Sequence, residues 1–90
     1  MGTSTVKEAK SWVERGAVLL DVRTREEHAS GRIPGSRNIP VQELGGRLSE
    51  LAPHGDVVVY CRSGGRSAAA AQMLRSAGHR VIDIGPMSAW

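Results

Sequence analysis

The sequence predicts an α/β domain built on a mainly parallel sheet, and three observations predict it. Apolar runs at residues 17–22, 57–60 and 80–84 alternate with helix-forming stretches, the order of β-α-β units. The first two runs are nearly continuous rather than alternating, as suits strands covered on both faces. Ninety residues supply one core and are too few for two, so residues 1–90 are expected to form one domain. Right-handed crossovers then set helices on both faces of the sheet.

The elements follow in order. Thr5 and Glu8 have the spacing of a capping box and predict a short helix with Val6, Ala9 and Val13 on one face, stopped by Gly16. The strand at 17–22 carries Asp21 near its end. Thr24 and Glu27 form a second capping box, opening a helix of barely two turns that Gly31 closes. Ile33-Pro34-Gly35 is a turn, and Arg37-Asn38-Ile39 a short strand ended by Pro40. Val41, Leu44, Leu48 and Leu51 fall at helical spacing, but Gly45-Gly46 predicts a short or irregular helix. Pro53-His54-Gly55 is a loop before the strand at 57–60. A helix is expected from about Ser67 to Ala77, with Gly78 beyond its end. The last strand, 80–84, is expected to break at Gly85-Pro86, with a final helical turn at 87–90.

Composition narrows the function. Trp12, Tyr60 and Trp90 are the only aromatic residues, so aliphatic side chains must fill the core. The net charge is +3, and every basic residue but Lys7 and Lys10 is an arginine. That favours small anions or acidic partners. The arginines are scattered and few rings can stack on bases, which argues against nucleic acid. No apolar run approaches membrane-spanning length. A single cysteine makes no internal disulfide, and the start of the chain has no apolar signal segment, so the expected location is cytoplasmic.

That cysteine marks the expected site. Cys61 closes the strand at 57–60, and Arg62, Ser63, Gly64, Gly65, Arg66 and Ser67 follow before an alanine-rich helix. Gly64 and Gly65 can take positive φ and curl backbone N–H groups inward. A helix start adds unpaired N–H groups and the positive end of a dipole. Thiols in such places, beside arginine, ionise readily. A nucleophilic thiolate therefore ranks ahead of an anion-binding nest with an incidental cysteine, and an inert core cysteine comes last. Ser67 is expected to cap the helix. A cation at a helix start is disfavoured, so Arg66 is expected to meet a ligand or a carboxylate. Ligands in parallel sheets bind beyond the carboxyl ends of strands, where Cys61 and, from the first strand, Asp21 and Arg23 belong. Asp21 is expected to brace loop backbone; Arg23 is expected either at the rim or paired with Glu26 or Glu27 at the surface. His28, His54 and His79 lack metal-ligand spacing and are expected at the surface, with no metal and no cofactor. Trp12 and Trp90 are expected to pack.

These pieces resemble a single-domain rhodanese, a persulfide-forming sulfurtransferase. The likeness rests on Leu20-Asp21-Val22-Arg23, on Glu26-Glu27 through the run from Gly31 to Pro40, on the stretch from Val58 to Ser67, and on Gly85-Pro86-Met87-Ser88-Ala89-Trp90, in family order. The resemblance implies a three-layer fold with a five-stranded, mainly parallel sheet, its first strand very short and near Thr3. Arg32 stands where the family usually has histidine, His28 where it has Tyr or Phe, and Pro86 where it has glycine. The resemblance further implies that Cys61 takes a sulfane sulfur from an anionic donor such as thiosulfate. Its persulfide would pass the sulfur to cyanide in vitro, or to a thiol or protein sulfur carrier. The related dual-specificity phosphatases use Cys-x5-Arg; here Arg66 makes the ring one residue tighter, which disfavours a phosphoryl group. A binding or sulfur-relay module with little turnover is the alternative.

Overall fold

Strands β1 (Val18–Asp21), β2 (Arg37–Asn38), β3 (Asp56–Cys61) and β4 (Arg80–Pro86) form one parallel sheet in the order β2-β1-β3-β4. This is the arrangement in a computed structural model that describes residues 3–90, with side chains from residue 5 onward. The two central strands bury almost every side chain, which is why their sequences do not alternate. Leu20, Val22, Val57 and Val59 face Leu44, Ala70, Ala71 and Leu74 from α3 (Val41–Leu44) and α4 (Gly65–Ser76). Leu19, Val58, Tyr60, Ile82 and Ile84 face Ala9 of α1 (Thr3–Glu14), with Trp12 and Trp90 packed against that layer. Arg80 caps the Trp12 ring at 4.7 Å and Lys10 the Trp90 ring at 5.3 Å.

Several expectations are corrected. The sheet has four strands among the described residues; Thr3, expected in a fifth, lies in α1. Thr5 is therefore inside a helix already begun, and does not cap it. The last strand runs through Gly85-Pro86 instead of breaking there. Two facts permit this. β4 is an edge strand, where a missing N–H need cost no ladder bond, and Gly85 takes φ 73° at a register shift opposite Val59 and Tyr60. His79 is buried rather than exposed, its Nδ1 2.9 Å from the Gly55 carbonyl.

Other local signals hold. The second capping box is complete: Thr24 Oγ1 accepts the Glu27 amide at 3.1 Å, and Glu27 Oε1 accepts the Thr24 amide at 3.0 Å, opening α2 (Arg25–Ser30). The glycine pair ends α3 at Leu44, and a separate 3-10 turn, Leu48–Glu50, follows. A last 3-10 turn covers Met87–Ala89.

Candidate active site

β1 and β3 are register neighbours, and their ends bring Asp21 and Cys61 to one rim of the sheet, with Asp21 opposite Tyr60. The chain must turn from β3 into α4 within three residues. Gly64 makes the turn with φ 111°, a left-handed value that a side chain would strain, although a Cβ there would meet nothing within 4 Å. Its N–H then points back and donates to Cys61 Sγ at 2.9 Å. Gly65 does not share this geometry: its φ is ordinary and it is already helical. Gly64, not Ser67, is the residue before the helix. Ser67 sits in the first turn of α4, fully buried, its hydroxyl donating to the Gly64 carbonyl at 3.1 Å.

Burial alone would push the Cys61 thiol up. The Ser67 hydroxyl and the amides of Ser67, Gly64 and Ser63 outweigh it, and the thiol lies below its ordinary value. The residue is completely buried, and its sulfur accepts the Gly64 amide.

Three arginines stand near this ring, in three different states. Arg66 does meet a carboxylate. Its Nη1 and Nη2 donate to Glu27 Oε1 and Oε2 at 2.6 and 3.0 Å, a bidentate pair across 39 residues of sequence. The Arg66 guanidinium first, then the Thr24 amide, holds the Glu27 carboxyl down at about 2. One side chain thus caps α2 and ties it to the start of α4. Arg62 is exposed and has no ion-pair partner among the described residues. Arg23 is neither a surface residue nor paired with Glu26 or Glu27. It is 5% exposed and grips Asp21, with Nε–H to Oδ1 at 2.9 Å and Nη2–H to Oδ2 at 2.7 Å; Nη2 also donates to the Gly31 carbonyl.

Asp21 has more hydrogen-bond partners than the sequence suggested. It is fully buried and also accepts the Arg23 amide at 2.9 Å and the Tyr60 hydroxyl at 3.1 Å, while His28 Nδ1 lies 2.9 Å from Oδ2. Burial would raise its pKa; Arg23 and His28, with the Arg23 amide, bring it below the ordinary carboxylate value. The Tyr60 hydroxyl in turn accepts the Ile33 amide. His28 is half-buried, not a free surface histidine.

A cleft of about 530 Å³ opens beside the loop, walled by Arg23, Glu26, Glu27, Gly31, Arg62 and Met87, among others. Cys61 itself is not part of its wall; its neighbour Arg62 is. No helix among the described residues is long and apolar enough to cross a membrane.

The family profile described as "Rhodanese-like domain" matches residues 5–90. The chain belongs to the rhodanese-like domain family. Over 86% of its length it is 37% identical to human thiosulfate:glutathione sulfurtransferase, covering 80% of that protein. It is similar in structure to a human single-domain sulfurtransferase, TSTD1, with a TM-score of 0.73 and 34% identity over 93% of this chain and 87% of that one. It is also 54% identical over 50 residues to the HTH-type transcriptional regulator Rv0324 of Mycobacterium tuberculosis. There the match spans 54% of this chain but only 22% of the regulator.

Against the usual rhodanese pattern, the three departures are all accommodated. His28 fills its place by adding a nitrogen to Asp21. Arg32 is exposed, its Nη1 3.4 Å from the His28 carbonyl. Pro86 falls on the sheet edge. Sequence reasoning missed Glu27, Tyr60 and His28 as members of the rim. For Tyr60 a signal existed: a buried phenol needs a hydrogen-bond partner.

Proposed function

We propose that this rhodanese-family protein is a sulfurtransferase that carries a sulfane sulfur on Cys61. The supporting observation is the Gly64 amide turned inward, 2.9 Å from Sγ, in a loop whose Ser67, Gly64 and Ser63 groups lower the thiol pKa against the effect of burial. The Cys61 thiolate attacks the outer sulfur of thiosulfate. The S–S bond of the donor breaks, sulfite leaves with the bonding electrons, and a persulfide anion remains on Cys61. No proton moves, so no general base is required. The same donors that hold the thiolate then hold the persulfide charge. Arg62, with its charge uncommitted, draws and orients the dianion. Arg66, occupied by Glu27, fixes the loop against α2 and adds field without releasing its partner. Asp21 and Arg23 hold the rim. A thiol or a protein sulfur carrier takes the outer sulfur away.

Mass spectrometry of the intact protein tests this. Thiosulfate is expected to add one sulfur atom to the wild type and none to Cys61→Ala, and cyanide to remove it. Equal labelling of both proteins would end the proposal.

A further inference from the structure

The cleft beside Cys61 is far larger than thiosulfate requires, and its charges are unevenly committed. Of the four ionic side chains named in its wall, two are spent: Arg23 on Asp21 and Glu27 on Arg66. The other two, Arg62 and Glu26, are exposed and have no ion-pair partner among the described residues. A site built for a dianion alone has no use for a free carboxylate in its wall, since that carboxylate repels the ligand. The cleft's volume of about 530 Å³ lies in the range of small-molecule pockets. Met87 adds an apolar surface to the wall of the cleft. One positive and one negative group, a short apolar wall and a buried sulfur nearby together match a small thiol that carries both an ammonium and a carboxylate.

We infer that Glu26 and Arg62 select a zwitterionic low-molecular-weight thiol as sulfur acceptor, with the ammonium on Glu26 and the carboxylate on Arg62. This rests on the persulfide reading above and adds to it the acceptor's charge pattern and the residue that reads it. In the step, the acceptor thiolate attacks the outer sulfur of the Cys61 persulfide. The bond between that sulfur and Sγ breaks, Cys61 leaves as thiolate, and the acceptor departs as a persulfide anion. Glu26 touches neither reacting sulfur; it is a positioning residue.

The test uses full-length protein loaded with sulfur and freed of donor, so that only the second half-reaction is measured. Three acceptors are compared: cysteine, with both charges; cysteamine, with the ammonium alone; and 3-mercaptopropionate, with the carboxylate alone. Each thiol is compared with itself across variants, which cancels differences in thiol reactivity. Glu26→Gln is expected to slow transfer to cysteine and cysteamine about threefold, and Glu26→Lys about tenfold, the scale of an exposed ion pair removed or reversed. Transfer to 3-mercaptopropionate should hold steady or rise. Arg62→Gln should slow cysteine and 3-mercaptopropionate and spare cysteamine. Equal effects of either substitution on all three thiols, or no effect, would overturn the inference. Persulfide loading, read by mass, separates the two claims: a wild type that never loads sulfur fails the sulfurtransferase reading itself.

Discussion

Asp21 and Cys61 close neighbouring parallel strands, lie at the same rim and are both fully buried, yet the protein surrounds them by different means. Asp21 accepts one backbone amide, that of Arg23, but is answered mainly by side chains: the guanidinium of Arg23, the imidazole of His28 and the phenol of Tyr60. Cys61 is answered by neutral donors, the Gly64, Ser63 and Ser67 amides and the Ser67 hydroxyl. An ion pair cancels a charge and leaves a brace. Amides stabilise a charge without cancelling it, so the sulfur keeps its electrons available. The contrast explains why the carboxylate supports and the thiolate is the group proposed to react.

The sharpest break of that comparison is Cys61→Ser. It should remove sulfur loading entirely while moving the urea midpoint by the equivalent of about 1 kcal/mol or less, because a hydroxyl fits the same donors. A large loss of stability would make Cys61 a brace as well. Asp21→Asn should do the reverse. It strands a buried guanidinium and is expected to cost about 3 kcal/mol in urea unfolding, the usual result of breaking a buried pair from one side. The folded protein holds Asp21 ionised below its ordinary pKa. Its contribution is therefore whole above the carboxylate range and fades as acid protonates it, so the wild-type advantage over Asp21→Asn should shrink at low pH.

Ser67→Ala comes next. Loss of the hydroxyl that helps lower the thiol pKa should raise it and slow sulfur uptake about tenfold at neutral pH, with uptake recovering as the pH rises. An unchanged pH profile would show that the amides suffice. Glu27→Gln should cost about 1 kcal/mol, since its pair with Arg66 is partly exposed. Glu27 stays ionised to about pH 2 when folded against an ordinary value of 4.5, so this difference should hold above pH 4.5 and vanish toward pH 2.

Much of this was legible in residues close in sequence. The strand, glycine turn and helix around Cys61, the capping box at Thr24 and Glu27, and the helix cut short at Gly45-Gly46 all follow from local chemistry. What stayed hidden joins distant positions. Glu27 shows itself as a cap, but its pairing with Arg66 spans 39 residues; so does the bond from Tyr60 to Asp21. Arg23 has charged neighbours at Glu26 and Glu27, and propensity gives no reason to prefer Asp21. Ser67 has the right chemistry for a cap, but the left-handed turn at Gly64 starts the helix earlier. The resemblance suggested a strand near Thr3, and the helix there displaced it.

The sheet's two margins have a consequence of their own. One is β2, only two residues long; the other is β4, bent at a register shift and closed by a proline. Neither presents a long straight row of free amides and carbonyls for a strand from another molecule to join. A chain with an apolar interior is thereby protected against growing edge to edge into aggregates, and light scattering of concentrated protein should stay flat over time.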